Sequence, residues 1–278
     1  MQILRNLWKI ISGHRLAKTG VILVMCALLL ALLAPVISPR DPQEMNVLDR
    51  FEPPGRRYVL GTDAFGRDVL SRVLFGARIS MFVGVSVMII TGIAGVALGL
   101  AAGYYPRFEM AIMRVMDALM AFPAILLALA VMAALGPSVF ASIAALSIAY
   151  TPRVTRTVRA SVLSLKSLGF VEAARVQGAT DLRILLKHIL PNCLSPLIVQ
   201  ETFIFAYAIL AESSLSFVGV GAPPPTPSWG NILSEGRVYM REAPWITVAP
   251  GVALASVVLG LNLLGDGLRD ILDPKMKL

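Results

Sequence analysis

Uncharged apolar runs as long as a lipid bilayer is thick dominate this sequence. The first, from Gly20 to Ile37, holds 18 residues without a charged side chain, and the run from Ala118 to Pro152 holds 35. A helix crosses the roughly 30 Å hydrocarbon core of a bilayer with about 20 residues. Because lipid offers the backbone no hydrogen-bond partner, only helices or closed barrels can span it. Runs of this length predict an all-α polytopic membrane protein.

The composition agrees with this interpretation and excludes another. Hydrophobic residues make up 56% of the chain and charged residues 15%, whereas soluble domains average about 45–50% and about 25%. The net charge of +8 does not indicate nucleic-acid binding, because the Lys and Arg residues cluster at the ends of apolar runs and not on one domain face. We therefore expect membrane lipid around the chain and no nucleic-acid partner.

Six membrane spans are predicted, and the first is expected to stay uncleaved. A secretory signal peptide is the alternative for residues 20–37, but its apolar core is typically about 7–15 residues long. The run up to Pro152 is too long for one crossing, and Gly136-Pro137 is a natural break in it. The predicted spans are about 20–37, 79–103, 110–135, 138–158, 194–218 and 244–265, the last five within a transmembrane domain over residues 76–265.

The positions of the Lys and Arg residues predict the orientation of the spans. Cytoplasmic loops of membrane proteins carry an excess of these residues. With the amino terminus (residues 1–19) and the tail (residues 266–278) both inside, sixteen of the 25 basic residues lie inside and nine outside. Seven of those nine are in one external segment, residues 38–78, which departs from the rule. The count still favours a topology with both termini in the cytoplasm.

Two local patterns predict contacts of the spans. Gly95, Gly99 and Gly103 repeat every four residues and form a small-residue stripe that lets another helix approach closely. We interpret this stripe as packing and not as part of a pathway. Arg114 and Asp117 lie one helical turn apart at the start of the third span, where they are expected to pair with each other.

A basic segment from Arg153 to Asn192 separates the fourth and fifth predicted spans. It contains seven Lys and Arg residues and only two acids, which favours a cytoplasmic location. Residues 170–176 and 182–188 have helical composition, Gly178 breaks the first pattern, and Pro191 is expected to stop the second. The segment is therefore predicted to form a helix, a turn and a second helix.

The basic segment also carries a spaced motif. Its residues are Glu172, Ala173, Ala174, Gly178, Leu190, Pro191 and Asn192. The motif resembles the EAA loop of ABC-importer permeases, and His188 in place of the usual Ile is similar to the dipeptide and oligopeptide branch. The resemblance implies that the loop docks an ATPase subunit through the first six of these residues.

The same resemblance gives a geometric expectation for three of these residues. Gly178 should lie where a Cβ would strain the turn. Ala173 and Ala174 should lie where larger side chains would collide with the ATPase.

Residues 60–81 resemble the same importers through the pattern Gly-Thr-Asp-x-x-Gly-Arg-Asp. Thr62 or Asp63 is predicted to cap a turn. The following residues have one apolar helical face, with Arg67 and Arg72 off it. This pattern predicts a helix that lies along the membrane surface and leads into the second span.

The sequence contains no Gly-x-x-x-x-Gly-Lys-Ser/Thr motif, so any ATP must be bound by another chain. His14 and His188 both lie outside the apolar runs, so neither a metal site nor a cofactor is predicted within the membrane. The resemblance covers roughly residues 60–275 and implies a non-catalytic permease of a peptide or nickel importer. Its implied partners are a second permease chain, two ABC ATPase subunits and a periplasmic or lipid-anchored binding protein.

Acidic residues inside the spans leave the transport pathway open. Glu212 is the candidate carboxylate on the pathway, and the alternative is a structural bond within the helix bundle or to residues 67–78. Glu201 is expected to contact the partner permease. A rival hypothesis is an autonomous secondary transporter that uses Glu201, Glu212 and Asp117 as ion or proton sites.

Overall fold

The computed structural model describes residues 14–272, and every regular element in that range is helical. Its helices are α1 (Arg15–Ile37), α2 (Val69–Tyr104), α3 (Pro106–Met120), α4 (Ala124–Leu135), α5 (Val139–Leu165), α6 (Gly169–Val176), α7 (Asp181–Val218), α8 (Trp229–Gly236) and α9 (Trp245–Leu272). Two 3-10 turns lie at Val47–Asp49 and Arg237–Tyr239. The predicted all-α class is confirmed.

Four of these helices, α1, α2, α7 and α9, are long and apolar enough to cross a membrane, and the bent pair α3–α4 would make a fifth span. The remaining long helix, α5, has 27 residues, about 40 Å at 1.5 Å per residue. Its second half carries Arg153, Arg156 and Arg159, which makes it too polar for the same criterion. The six predicted spans are compatible with this set of helices.

The predicted glycine stripe is a packing surface between α2 and α5. A Cβ on Gly95, Gly99 or Gly103 would lie 2.5 or 2.6 Å from the Cβ of a valine on α5. The three valines are Val154, Val158 and Val162, which repeat at the same spacing of four residues. Only glycine lets the two backbones approach this closely. The interpretation of the stripe as packing is confirmed.

The third predicted span, 110–135, is broken. α3 and α4 meet at an angle of 92°, and the break falls directly before Pro123. Proline removes a backbone donor and disfavours helical geometry in the residue before it, here Phe122. α4 has only 12 residues, about 18 Å of helix, which is shorter than the hydrocarbon core. The predicted third span therefore consists of two helices bent at Pro123 and not of one continuous helix.

The predicted pair of Arg114 and Asp117 is also wrong. Asp117 instead accepts a hydrogen bond of 2.5 Å from Arg156 on α5. α3 packs against α5, so an arginine of the neighbouring helix reaches the carboxylate. Sequence spacing within α3 contains no information about this partner.

Pro191 does not stop a helix, contrary to the prediction. α7 runs from Asp181 to Val218, and residues Ile184–Ile189 form a π-helical turn directly before Leu190. The π turn shifts the hydrogen-bond register, since the Leu190 amide donates to the carbonyl of Leu185, five residues back. Pro191 comes directly after this shift in register. Because the regular bonding pattern is already interrupted there, the N–H that proline lacks removes no regular helical hydrogen bond. The basic segment is therefore joined to the next span without a loop.

One end of the bundle gathers the segments that were predicted to be external. The Trp245 indole donates a hydrogen bond of 3.0 Å to the carbonyl of Thr62. The Trp229 indole donates one of 3.0 Å to the carbonyl of Val73. The first bond joins residues 38–68 to the start of α9, and the second joins α8 to the start of α2. We call the end of the bundle that contains residues 38–68 and the segment between α7 and α9 the loop end.

We call the opposite end of the bundle the hairpin end. It contains the basic segment, the first turns of α1 and the last turns of α9. Gly267 near the end of α9 packs on Ala17 near the start of α1. The Tyr104 hydroxyl at the end of α2 donates a 2.6 Å hydrogen bond to Asp181 at the start of α7. Both ends of the described chain therefore lie at the same end of the bundle as the basic segment.

The surface helix predicted for residues 60–78 is not a separate element. α2 begins at Val69 and continues unbroken for 36 residues to Tyr104. Its first turn is capped by Asp68, whose carboxylate accepts a 2.8 Å bond from the amide of Ser71. The predicted capping of a turn by Thr62 or Asp63 is confirmed for Asp63, whose carboxylate accepts bonds of 2.8 and 3.0 Å from the amides of Phe65 and Arg67 in the turn before α2.

Candidate functional site

The motif resembling an EAA loop forms a compact helical hairpin, residues 169–189, which we call the basic hairpin. α6 ends in a turn in which the Gly178 amide donates to the carbonyl of Arg175 and the Ala179 amide to that of Ala174, both at 3.0 Å. Gly178 has φ +79°, the left-handed conformation that this helix ending requires. No atom lies within 4 Å of a Cβ placed there, so a substitution would strain the backbone without a steric collision.

The alanines of the motif face different surroundings. Glu172 and Ala173 are exposed, whereas Ala174 is only 7% exposed and packs in the main apolar core. Ala174 therefore faces its own chain, and the expectation that it would meet the ATPase is wrong. Helical spacing explains the difference, because adjacent residues on α6 point about 100° apart.

Exposed apolar side chains lie on both helices of the basic hairpin. Val176 is 89% exposed and Leu182 is 65% exposed, and Leu186 on the next turn of α7 is also exposed. We call Glu172, Ala173, Val176, Leu182 and Leu186 the docking surface. Exposed apolar groups grouped in this way mark interaction sites. Sequence analysis missed the three apolar members, although their position beside the motif was a usable signal.

The other two motif residues, Leu190 and Pro191, lie after the π turn. Leu190 is half-buried and Pro191 is exposed. The Asn192 side-chain amide donates a 2.7 Å hydrogen bond to the carbonyl of His188, so it satisfies a backbone acceptor where the helical register changes. This half of the motif therefore builds the junction between the basic hairpin and the span.

The basic hairpin is anchored to α2. The bond from Tyr104 to Asp181 links the two, and the Lys166 ammonium, at the end of α5 just before the hairpin, donates a 3.0 Å hydrogen bond to the carbonyl of Gly103. Arg175 lies within 3.4 Å of the Tyr104 hydroxyl. A force on the hairpin is therefore transmitted to α2 as well as along α7.

Glu212 lies inside the bundle and not on an accessible surface. It is 1% exposed, and its carboxylate accepts 2.8 Å hydrogen bonds from the hydroxyls of Ser80 on α2 and Ser216 on α7. These contacts match the structural alternative, a bond within the bundle, and not the pathway role. None of the arginines in residues 67–78 binds Glu212.

Glu201 and Asp117 have partners of their own. The Thr91 hydroxyl on α2 lies 3.2 Å from the Glu201 carboxylate, so Glu201 contacts its own chain. Asp117 binds Arg156. The three acids of the rival hypothesis thus have three separate sets of partners, and within residues 14–272 they do not share an ion site.

Four charged residues form a buried network at the loop end, the outer ion cluster: Asp63, Arg67, Arg72 and Glu235. The Asp63 carboxylate binds Arg67 at 2.6 Å and Arg72 at 2.5 Å. Glu235 on α8 binds the same two arginines, at 2.5 and 2.7 Å. Arg72 is only 2% exposed, whereas sequence analysis placed it off the buried face. The cluster fixes α8 to the start of α2.

The rest of the Gly-Thr-Asp-x-x-Gly-Arg-Asp pattern folds the loop that carries this cluster. Gly66 has φ +70°, and a Cβ there would overlap the carbonyl of Asn46. The Thr62 hydroxyl donates a 2.5 Å bond to the carbonyl of Asp49. Burial and a hydrogen bond to Asp49 raise the pKa of Tyr58 above its ordinary value, so this phenol stays a donor at neutral pH. The residues of this pattern therefore stabilise the conformation of the loop.

A bundle of long apolar helices with an exposed helical hairpin is the architecture of a membrane transport permease. Known proteins identify which permeases these are. Residues 95–278 match the family described as binding-protein-dependent transport system inner membrane component. Residues 3–54 match the N-terminal TM domain of oligopeptide transport permease C.

Full-length relatives agree with these matches. A putative peptide transport system permease protein of Brucella abortus is 52% identical over 265 residues, 95% of this chain and 90% of the relative. The dipeptide transport system permease protein of Alkalihalophilus pseudofirmus is 44% identical over 98% of this chain and 90% of its own. A chain of the inward-facing MetNI methionine ABC transporter shares the fold, with a TM-score of 0.57, 19% identity, and coverage of 73% of this chain and 95% of that chain.

The chain belongs to the family of binding-protein-dependent transport system inner membrane components. It is a non-catalytic, multi-pass permease subunit of an ATP-driven importer in the bacterial inner membrane. Such a permease works in a complex with an ATPase and a substrate-binding protein. This membership supports the importer hypothesis over the autonomous secondary transporter.

The outer ion cluster gives a prediction about stability. Asp63→Asn leaves Arg67 and Arg72 with only the partly exposed Glu235 as counter-charge. Removal of one partner from a buried ion network is expected to destabilise the protein by about 3 kcal/mol. Thermal unfolding of the purified permease in detergent measures the effect. Glu44→Gln, an exposed loop acid that forms no ion pair within residues 14–272, is the control. Equal unfolding temperatures for the two variants would show that the cluster contributes nothing.

Proposed function

We propose that this chain forms half of the translocation pore of a peptide importer. The complex would contain a second, homologous permease chain, two ABC ATPase subunits and a periplasmic or lipid-anchored binding protein. The substrate class rests on relatives named for peptide and dipeptide transport, which are 52% and 44% identical to this chain over nearly its whole length.

The basic hairpin is the proposed site of ATPase docking and coupling. Its docking surface presents Glu172 and Ala173 beside exposed apolar side chains. α7 carries the hairpin into the span without a break. The observation that supports coupling best is this continuity, because a docked ATPase that moves the hairpin must also move the helix.

Contacts between α2 and α7 extend this coupling over the depth of the bundle. Tyr104 binds Asp181 at the hairpin end, Thr91 meets Glu201 further along, and Ser80 binds Glu212 towards the loop end. Closure of the two ATPases would bring the two docked hairpins together. Each α2–α7 pair would then rotate as a rigid body and open the cavity towards the binding protein.

The orientation that we propose places the hairpin end in the cytoplasm and the loop end in the periplasm. The charge count supports it, since sixteen of the 25 Lys and Arg residues would lie inside. In the external segment, Arg57, Arg67 and Arg72 are paired with acids. Paired arginines reduce the net positive charge that would have to cross the membrane.

The coupling role predicts that two substitutions of Gly178 will differ. Gly178→Val should abolish most of the peptide-stimulated ATP hydrolysis of the reconstituted complex, because a β-branched residue is strained at positive φ. Gly178→Asn should keep most of it, since Asn tolerates this conformation. Both variants should assemble, as open space surrounds the position. If Gly178→Val shows wild-type stimulation, the hairpin is only a linker.

The orientation predicts which positions an impermeant thiol reagent labels in intact cells. In a background that lacks Cys26 and Cys193, Gly55→Cys and Thr226→Cys should react from outside, because both lie at the loop end. Gln177→Cys in the basic hairpin should react only after permeabilisation. Labelling of Gln177→Cys in intact cells, with protection of Gly55→Cys, would reverse the proposed topology.

A further inference from the structure

Three arginines of α5, Arg153, Arg156 and Arg159, lie in or near the membrane span, and only one lacks a counter-charge. Arg156 binds Asp117, and Arg159 binds Glu109. Within residues 14–272, the Arg153 guanidinium has no carboxylate partner and forms no hydrogen bond. An unpaired cation inside a span is costly, and such residues mark substrate or ion pathways.

Aromatic side chains hold the Arg153 guanidinium at the side of the bundle. Its central carbon lies 5.1 Å from the ring centroid of Tyr207 on α7 and 5.6 Å from that of Tyr150 on α5. The two rings are stacked, with their centroids 6.4 Å apart. Cation–π contacts orient a guanidinium without neutralising its charge, so its hydrogen-bond donors remain available to a ligand.

The guanidinium lines a cavity that continues to the hairpin end. A cavity of about 290 Å³ is lined by Arg153, Gln200, Phe203 and Tyr207. A second cavity of about 650 Å³ shares Gln200 and Phe203 with it and extends along α7 to Pro191. Sites for small ligands typically occupy about 300–1,000 Å³. The adjoining cavities therefore form a groove large enough for a small peptide.

The depth of Arg153 in the span follows from the packing of α5 on α2. Its neighbour Val154 faces Gly95, and Val162 faces Gly103 at the hairpin end. The eight residues between these contacts correspond to about 12 Å of helix. Arg153 therefore lies in the inner part of the predicted fourth span, residues 138–158, on an exposed face of α5 where water, solute or another chain must meet its charge.

We propose that Arg153 binds the carboxylate of the transported peptide on its way through the pore, with Gln200 and Tyr207 lining the same subsite. The inference rests on the proposed function, because every unmodified peptide ends in a carboxylate. A guanidinium binds a carboxylate through two parallel hydrogen bonds, which also fix the orientation of the ligand. Arg153 would then be a residue that selects for substrate.

The test compares a dipeptide with its carboxyl-terminal amide in the complete reconstituted complex. The uptake rate of each compound is normalised by its measured affinity for the binding protein. Any preference for the acid that remains after this normalisation comes from the membrane subunits. Wild type should prefer the acid by about 10- to 100-fold, the range expected for a charged hydrogen-bonded contact. Arg153→Gln should lose this preference and transport both compounds at similar rates. Arg153→Lys should keep part of it, since the charge remains.

The matched control is Arg156→Gln, which removes the same charge three residues further along α5, from a residue that does not line the groove. It should keep the wild-type preference. Equal uptake of acid and amide by wild type would overturn the inference without any variant, and so would an unchanged preference in Arg153→Gln. Absence of uptake of either compound by wild type would overturn the proposed function, and this inference with it.

Discussion

Close packing of α2 against α5 is the interaction on which the rest of the structure depends. Lipid is as apolar as the side chains, so the hydrophobic effect does not drive helices together within a membrane, and van der Waals packing has to. Gly95, Gly99 and Gly103 let the two backbones meet over three successive turns. α5 leads into the basic hairpin, and the end of α2 anchors it through Tyr104. The position of the docking surface therefore follows from this packing.

The acids within the spans belong to the same framework. Glu212 and Glu201 each meet a hydroxyl of α2, and the two contacts are separated by eleven residues on both helices. This regular spacing is what two antiparallel helices in register produce. Because of these contacts, α2 and α7 are expected to move together. The exposed, cationic face of α5 and α7 is then the surface that the solute contacts. The charged side chains of α5 and α7 thus include acids bonded to α2, two arginines paired with α3, and one unpaired arginine.

Sequence patterns predicted the features that depend on neighbouring residues. The apolar runs predicted the helices, the four-residue glycine repeat predicted a packing face, and Gly178 predicted the turn of the hairpin. Partners distant in sequence were not predictable in this way. Nothing near Arg72 points to Glu235, and the spacing of Asp117 from Arg114 suggested a partner that it does not use.

Two prolines show why composition alone misplaced helix ends. Pro123 breaks an apolar run whose length and composition predict one span. Pro191 lies within a continuous helix, because the π turn before it shifts the hydrogen-bond register and the missing N–H of proline removes no regular helical bond. The sequence does not reveal which outcome applies, since the hydrogen-bond register decides it. In the same way, composition does not separate Arg153 from Arg156 and Arg159. Only the facing helices show which of the three is unpaired.

The central claim is that α7 transmits motion as one rigid rod from the docking surface to the span. Spin labels at Arg183 and Leu210, both exposed and outside the docking surface, test it most directly through pulsed electron paramagnetic resonance distances in the assembled complex. A rod predicts a single distance of about 40 Å, at 1.5 Å per residue, that stays the same with and without bound ATP. A second distance, or a shift of more than about 5 Å, roughly one helical turn, would place a hinge at the π turn and contradict the account.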